Sequence, residues 1–227
     1  ICTQKAVSFY NSYVQGEIFE TNSDTAEMCK LAENSYRDVN LAFANELSMI
    51  CDEVDINIQD VIKYSNYHPR VNILSPGCGV GGHCIPIDPW FLVESFQERA
   101  GLIKKSREVN IYKTKWVAEQ IKSKIAYYQS KIPELKVCFL GLTYKADSDD
   151  LRESPALEII KSLQSSSNSR YFLADPMLSK LPDSIDNVEF ILFEQALVKC
   201  DIFFNLVNHS LFESSDALLK KLYYKRY

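Results

Sequence analysis

Apolar residues return at helical spacing through the first half of the chain. Between residues 25 and 54 they recur every three or four positions with no Gly or Pro, which predicts one long helix. Asn57 is a candidate N-cap for a second helix over 57–64. The same periodicity predicts helices over 89–100 and 103–128. The first half is therefore predicted to be all-helical, after a short amphipathic segment at 1–20.

The pattern changes near residue 132, where apolar residues gather in short unbroken runs. Such runs are typical of parallel strands covered on both faces, and they lie at 136–142, 171–174, 188–192 and 201–207. Helical segments at 154–163 and 194–199 separate them, and residues 165–169 are a polar loop. Alternating strands and helices predict a doubly wound α/β domain.

Composition and charge exclude several function classes. The chain has 227 residues, of which 46% are hydrophobic and 24% charged, and a net charge of −5. This predicts no nucleic-acid partner and no attraction to anionic membranes. No apolar run is long enough to span a bilayer, and the first residues do not form a signal peptide. Seven irregularly spaced Cys and three His predict a reducing cytoplasm and no metal site.

A glycine-rich loop is the strongest local signal. Four of the seven Gly lie within residues 77–82, and Cys84 and Asp88 follow two and six residues after Gly82. Glycine at this density lets backbone approach a ligand closely. A thiol four residues before a carboxylate is typical of an activated nucleophile. A buried, inert Cys84 is an equally good interpretation of the loop taken alone.

Four motifs in order resemble the UDP-glucose/GDP-mannose dehydrogenase family. The glycine loop at 76–90 resembles the family's catalytic-cysteine segment, and residues 25–40 resemble its central-helix signature. Residues 68–74 precede the loop as they do in the branch that oxidises UDP-N-acetyl-D-mannosamine. Residues 141–155 resemble the start of the family's C-terminal domain. The resemblance covers nearly the whole chain.

The family's organisation implies a specific division of this chain. Residues 1–20 are expected to be a remnant of an N-terminal NAD-binding domain, whose Gly-x-Gly-x-x-Gly turn has no counterpart here. Residues 21–131 would form an all-helical dimerisation domain, and residues 132–227 an incomplete Rossmann-like, UDP-binding α/β domain. The chain is expected to stop before the family's final strand. As a fragment it is not expected to turn over.

The resemblance implies an NAD-dependent, four-electron oxidation of a UDP-sugar, which supplies precursors for surface polysaccharide. Cys84 would be the nucleophile that carries a thiohemiacetal and then a thioester. Lys30 would act as general acid/base or stabilise the oxyanion, and Asn34, one helical turn on, would position water or substrate. Asp88 would assist this chemistry or orient Lys30. An N-cap role for Asp88 is equally plausible from the sequence.

Further residues match the family's substrate contacts. Arg37 would reach the sugar or its carboxylate end, although an ion pair with Asp or Glu is the alternative. His68 and Arg70 would contact substrate, the Arg from across a dimer interface, and the alternative for Arg70 is a surface side chain. Gly81 would let backbone touch the sugar. His83 is not expected to pair with Cys84, because neighbouring residues rarely face each other.

The α/β domain adds residues at the end of its first strand. Ligands bind at the carboxyl ends of such strands. Tyr144 and Lys145 would contact the UDP, and Arg152 would contact the cofactor's pyrophosphate. The acidic residues at 147–150 are interpreted as turn and capping residues, since their spacing does not fit a Ca²⁺ loop.

Several alternatives stay open. UDP-N-acetyl-glucosamine or UDP-glucose would suit the same chemistry, because sequence does not reveal how sugar stereochemistry is read. A non-catalytic dimerisation and nucleotide-binding module is the alternative of another class. A cysteine hydrolase is a minor one. A homodimer or higher homo-oligomer is expected, with helix 25–54 at the interface.

Overall fold

The computed structural model describes residues 2–163, 169–214 and 223–227. Its helices are α1 Cys2–Tyr10, α2 Ser23–Glu53, α3 Ile58–Ser65, α4 Asp88–Phe96, α5 Gly101–Gln129, α6 Pro155–Leu163, α7 Phe193–Lys199 and α8 Ser210–Ser214. Its strands are β1 Lys136–Leu140, β2 Arg170–Ala174, β3 Val188–Phe190, β4 Ile202–Asn205 and β5 Tyr223–Arg226. The predicted polar loop at 165–169 lies outside the described residues except for Ser169.

The predicted helices of the first half are confirmed, with ends that shift by one or two residues. Asn22 caps α2, accepting the Thr25 N–H at 2.8 Å, and Asn57 caps α3 as predicted. The helix predicted over 89–100 is α4 followed by a single 3-10 turn at Gln97–Ala100. No described helix is both long and apolar enough to cross a membrane.

The buried face of α2 is polar, which its apolar periodicity did not indicate. The side chains that α2 buries are small or polar: Asn34, Ser35, Asp38, Ala42, Ala44, Asn45, Ser48 and Cys51. Of the large apolar residues that defined the predicted stripe, Met28, Phe43 and Ile50 are 44%, 55% and 53% exposed. The other residues of that stripe, Leu31, Val39 and Leu47, are partly buried. The stripe is therefore a largely exposed face of this chain, and none of its residues belongs to the fully buried core.

A buried polar network joins α2 to α5. Arg107 of α5 donates to the Asp38 carboxylate at 2.5 Å, and Asn110 donates to the same oxygen at 2.8 Å. Asn45 of α2 donates to the Asn110 side chain at 2.9 Å and accepts the Gly77 N–H at 2.9 Å. Burial raises the pKa of Asp38 against the opposing effect of Arg107 and Asn110. The network thereby ties the glycine loop to both long helices.

The second half is a parallel sheet with strand order β3-β2-β1-β4-β5. The predicted α/β class and the four predicted strands are confirmed, although the strands β1, β3 and β4 end earlier than predicted. The sequence pattern did not predict a fifth strand, β5, which pairs in parallel with β4. Its sequence, Tyr-Tyr-Lys-Arg, lacks the apolar run that marks a strand buried on both faces.

Both faces of the sheet are apolar and covered. Phe139, Leu173 and Phe204 lie on one face, whereas Phe172 and Phe203 lie on the other, as the period of two requires. The first face packs against α6 and also against the second half of α5, through Val117, Ile121 and Ile125. Helix α5 is therefore shared between the helical half and the sheet half.

Candidate active site

The glycine loop between α3 and α4 lies directly against the loop that follows β1. A Cβ atom at Gly81 would lie 2.5 Å from the Glu153 carbonyl oxygen, so a larger residue would force the two loops apart. Gly82 has φ of +89° and donates its N–H to the Arg152 carbonyl at 3.0 Å. Packing between the two loops thus gives Gly81 a structural role, and its contact with a sugar stays a prediction.

The same loop has a spacing that the sequence analysis overlooked. Residues 77–82 read Gly-Cys-Gly-Val-Gly-Gly and so match Gly-x-Gly-x-x-Gly. A dinucleotide-binding turn needs that spacing between a strand and the N-terminus of a helix. These residues lie instead in an irregular loop that begins after α3 and has no strand before it. The match is therefore a coincidence of spacing.

Cys84 lies in the turn that leads into α4 and is partly exposed. Its carbonyl accepts the N–H groups of Ile87 at 3.0 Å and Asp88 at 2.8 Å, which fixes the Cys84 backbone to the first turn of the helix. The Nδ1 atom of His83 lies 3.0 Å from the Cys84 Sγ. The expectation that these neighbours would not face each other is wrong, because the chain bends here instead of running extended.

Asn34 and Asp88 meet although 54 residues separate them. The buried Asn34 side chain donates to the Asp88 carboxylate at 2.5 Å. The N-cap interpretation of Asp88 is wrong, because Asp88 is the first residue within α4 and Ile87 holds the capping position. The Asp88 N–H also binds the Cys84 carbonyl, so hydrogen bonds link Asn34 to Asp88 through side chains and Asp88 to Cys84 through the backbone.

The remaining predicted residues of α2 face outward. Lys30, one turn before Asn34, is exposed and lies 3.8 Å from Glu33 in a solvated ion pair. Arg37 is exposed as well, and in the described ranges it forms no ion pair. No hydrogen bond joins either side chain to Cys84 within the described part of the chain. Their roles stay predictions.

His68 and Arg70 lie at the start of the same loop, far along it from Cys84. Both are exposed, and the Arg70 N–H donates to the His68 Nδ1 at 3.3 Å. The described residues show no hydrogen bond from either side chain to Cys84, Asn34 or Asp88. Exposure leaves both side chains open to a ligand or to a second chain.

The loop after β1 carries the predicted nucleotide contacts. The Lys145 ammonium lies 5.6 Å from the centre of the Tyr144 ring, which itself packs on Gly82. Arg152 donates through Nε and a terminal nitrogen to the Asp150 carboxylate, the shortest distance being 2.6 Å. These hydrogen bonds lower the pKa of Asp150 to about 2. They also raise the pKa of Arg152, to which nearby Cys84 adds a smaller electrostatic contribution.

The fit to a dinucleotide cofactor is partial. Arg152 has the charge that a pyrophosphate needs, but Asp150 already holds its guanidinium on two nitrogens. The loop between β1 and α6 contains one glycine, Gly141, so it is not a dinucleotide-binding turn. The role of Arg152 as a cofactor contact therefore stays a prediction.

A cleft of about 710 Å³ opens between the two halves, at the carboxyl ends of β1 and β4. This is where the strand order reverses, the usual ligand position in open α/β sheets. Tyr144 and Lys145 line the cleft, and Cys84 does not. The sequence analysis missed another lining residue, the buried Lys113, which donates to Ser48 at 2.8 Å and lies 4.3 Å from the Trp116 ring.

A second missed cluster fixes the loops around this cleft. The buried His209, after β4, accepts the Asp147 N–H through Nδ1 at 3.0 Å, and its Nε2 lies 3.3 Å from the Asp175 carboxylate. Asp175 also accepts the Leu142 N–H at 2.7 Å. Burial tends to raise the pKa of Asp175, but these hydrogen bonds outweigh it and the pKa is lowered. The loops after β1, β2 and β4 are thereby held together.

The capping interpretation holds for Asp147, whose carboxylate accepts the Ser210 N–H at 3.1 Å at the start of α8. Across the described ranges, no group of three or more His, Cys, Asp or Glu is arranged to bind a metal ion.

Comparison with known proteins links these features to one family. The central domain of the UDP-glucose/GDP-mannose dehydrogenase family matches residues 24–112, and the family's UDP-binding domain matches residues 138–226. The chain is 48% identical over 214 residues to a UDP-N-acetyl-D-mannosamine dehydrogenase of Campylobacter jejuni, covering 93% of this chain and 52% of that protein. It is 47% identical to an NDP-N-acetyl-D-galactosaminuronic acid dehydrogenase of Ralstonia solanacearum, covering 95% of this chain and 50% of that protein.

The solved structures agree. A UDP-D-ManNAc dehydrogenase from Pyrococcus horikoshii superposes with a TM-score of 0.80 at 34% identity, covering 98% of this chain and 52% of that one. The chain therefore spans about half the length of the relatives that it matches.

Proposed function

The chain belongs to the UDP-glucose/GDP-mannose dehydrogenase family, and from this membership we propose that it carries the nucleophile and the UDP-sugar site of a 6-dehydrogenase. The proposed reaction is the NAD-dependent, four-electron oxidation of UDP-N-acetyl-D-mannosamine to UDP-N-acetyl-D-mannosaminuronate. The observation that carries the proposal is the convergence of Cys84, Asp88 and Asn34 at the N-terminus of α4. Neither helix periodicity nor core packing requires these residue types to meet there.

The chain's own residues would act on the 6-carbon of the sugar. NAD, when bound, supplies the hydride acceptor for each of the two oxidation steps. The Cys84 thiolate would add to the aldehyde carbon, and the resulting thiohemiacetal would be oxidised to a thioester that water hydrolyses. The Asn34–Asp88 pair would orient water or substrate beside the thioester. Lys30 would need to turn from Glu33 to stabilise the developing oxyanion.

The cleft between the halves is the proposed site of the nucleotide. Tyr144 offers a ring and Lys145 a cation at its rim, which suit a uracil base and a diphosphate. Arg37, His68, Arg70 and the backbone at Gly81 are retained as proposed substrate contacts. Arg152 is the proposed contact with the cofactor's pyrophosphate. For this contact, Asp150 would have to release one of the two Arg152 nitrogens that it binds.

We further propose that the chain works as a homodimer or higher homo-oligomer. The exposed residues Met28, Phe43 and Ile50 belong to an apolar stripe along α2 that the described residues of the chain leave exposed at these positions. We also retain the predicted domain boundaries at residues 20 and 131. A cytoplasmic location is retained as well, because it suits a protein whose seven cysteines are all free. Sedimentation of the Phe43→Glu variant tests the assembly: a wild-type mass equal to that of the variant would argue against the stripe as an interface.

The sugar is the least constrained part of the proposal. The Ralstonia relative, at nearly the same identity as the Campylobacter one, bears the name of an N-acetyl-galactosaminuronic acid dehydrogenase. UDP-N-acetyl-glucosamine and UDP-glucose remain alternatives from the sequence. A non-catalytic nucleotide-binding module is the alternative of another class, and it predicts nucleotide binding without oxidation.

The decisive experiment counts NADH. A protein that carries this chain together with an NAD-binding domain would receive UDP-N-acetyl-D-mannosamine and excess NAD, and NADH formed per sugar consumed would be measured. We expect two NADH per sugar, abolished in Cys84→Ser and retained in Cys2→Ser, a matched change at an exposed cysteine of α1. No NADH with any UDP-sugar would favour the nucleotide-binding module. Activity with another epimer alone would keep the mechanism and correct the substrate.

A further inference from the structure

We propose that His83 is the general base and proton carrier of Cys84, an inference that rests on the proposed function because it names a group that serves the same thiol. The His83 Nδ1 lies 3.0 Å from the Cys84 Sγ, within the reach of a thiol hydrogen bond. Across the described residues no other side chain forms a hydrogen bond with this thiol.

The local backbone explains how two consecutive side chains can meet. In an extended strand, successive side chains point to opposite faces. Gly82, with φ of +89°, turns the chain just before the pair. The Gly82 N–H is tied to the Arg152 carbonyl, and the Cys84 carbonyl is tied to the first turn of α4. Both ends of the His83–Cys84 segment are therefore held, so the contact between the side chains does not depend on a free loop.

The other proposed acid/base groups are engaged elsewhere in this structure. The Asp88 carboxylate accepts from Asn34, and the Lys30 ammonium lies beside Glu33. Neither of these groups hydrogen-bonds the thiol in the described part of the chain. His83, by contrast, is exposed, so its second ring nitrogen can exchange protons with water.

The proton movements balance without a further reactant. The tautomer with its proton on Nε2 presents a free Nδ1, which takes the Sγ proton and leaves a thiolate beside an imidazolium. As the S–C bond forms with an aldehyde, the C=O π pair moves to oxygen, and the His83 proton passes to that oxygen. In the oxidation of the thiohemiacetal, for which NAD would accept the hydride, the hydroxyl proton returns to His83, and its exposed ring releases that proton to water. In hydrolysis, His83 takes a proton from the attacking water as the O–C bond forms, the C–S bond breaks, and the proton passes to the leaving sulfur.

Charged groups on the facing elements favour this ion pair. The Arg152 guanidinium, in the loop after β1, interacts with the Cys84 sulfur, and Asp150 in the same loop interacts with His83. Of the two acidic residues of α4, Asp88 and Glu94, Asp88 is the one in the first turn of the helix, next to this pair. A cation near the thiolate and a carboxylate near the imidazolium both stabilise charge separation.

Alkylation of the thiols tests the inference without substrate or cofactor. Iodoacetamide would be reacted with the protein from pH 5.5 to 9, and the rates at Cys84, Cys2 and Cys29 would be followed by peptide mass spectrometry. Cys2 and Cys29 are exposed internal controls, whose alkylation rates should fall steeply as the pH is lowered. The Cys84 rate in the wild-type protein should fall by less than about threefold between pH 8 and 6.

In His83→Gln, we expect the alkylation rate of Cys84 to fall with decreasing pH as steeply as that of Cys29. In His83→Gly, added imidazole should restore the rate at pH 6, which a purely structural role of His83 would not allow. If His83→Gln changes the pH profile of alkylation neither at Cys84 nor at the control Cys29, the inference is overturned. This holds even if Cys84→Ser abolishes NADH formation. If His83→Gln changes the Cys84 alkylation profile but Cys84→Ser still forms NADH, the His83–Cys84 proton transfer is supported and the proposed function is refuted.

Discussion

The two halves of this chain are stabilised by different chemistry. Between α2 and α5 the buried contacts are polar, with Asp38, Arg107 and Asn110 at their centre. Within the sheet core the buried contacts are apolar, and large side chains such as Phe139 and Phe204 are fully buried, whereas the buried His209 and Asp175 lie beyond the ends of the strands. An apolar periodicity therefore identified the core correctly in one half and an exposed surface in the other. The difference teaches that periodicity reports an apolar face but not what covers it.

The pair Asp38–Arg107 shows that burial in the helical half carries a free-energy cost of desolvation. One Asp38 oxygen and the Arg107 Nε have no hydrogen-bond partner in the described structure, although both are buried. Desolvation of the two charges is therefore incompletely compensated, in agreement with the raised pKa of Asp38. In the sheet half, burial of aromatic rings carries no such cost.

The largest expected effect tests the apolar half. Replacing Phe204 by Ala removes a fully buried ring that stacks on Phe139 with centroids 6.0 Å apart. We expect the free energy of unfolding to fall by about 4 kcal/mol, from lost burial and the cavity left behind. Phe9→Ala is the matched control, because Phe9 is exposed on α1. Equal losses in urea denaturation for the two variants would contradict the assigned core.

The next effect tests the polar half. Asp38→Ala leaves the Arg107 guanidinium buried without its counterion, and we expect a loss of about 3 kcal/mol. Glu108→Ala, which removes the exposed partner of Lys105, should cost less than about 1 kcal/mol. The double change Asp38→Leu with Arg107→Met should cost less than Asp38→Ala alone, since it removes both buried charges. A double variant that is less stable than the single one would show that the network stabilises the fold.

The smallest effect concerns Cys78, which joins the halves. Its thiol belongs to the glycine loop but packs in the sheet core and donates to the Leu206 carbonyl at 3.3 Å. Burial raises the pKa of Cys78 to about 12 from 9.0, against a smaller lowering by Lys113. The folded thiol keeps its proton between these values while the unfolded one loses it, so stability falls as pH rises above 9.

The loss between pH 9 and 10 from this thiol should be about 1 kcal/mol. Cys78→Ala should remove that part of the alkaline decline, measured by denaturation at each pH, whereas Cys2→Ala at an exposed site should not. If the free energy of unfolding of Cys78→Ala declines with pH as steeply as that of the wild-type protein, water reaches this thiol and the two halves separate at this point.

The sequence predicted the candidate site unevenly. The glycine loop and its Cys84 stand out in composition alone, and the resemblance supplied Asn34 and Asp88, which the structure then joins by a hydrogen bond. The contact between His83 and Cys84 could not be predicted, because it depends on a turn at Gly82 set by packing against a distant loop. Lys113 and His209 escaped notice for the same reason: their partners are remote in sequence.

The sequence by itself determined the order of the elements up to β4, since period 3.6 and short apolar runs are local properties of the chain; α8 and β5 lack a clear local pattern and were not predicted. It also determined the α/β class of the second half, because strands that alternate with helices have few other arrangements. Only the tertiary structure decided that α2 buries its polar face and that α5 serves both halves. It also decided that the Cys84 turn meets Asn34 and the loop after β1. These outcomes depend on contacts between segments far apart in the chain, which no local pattern encodes.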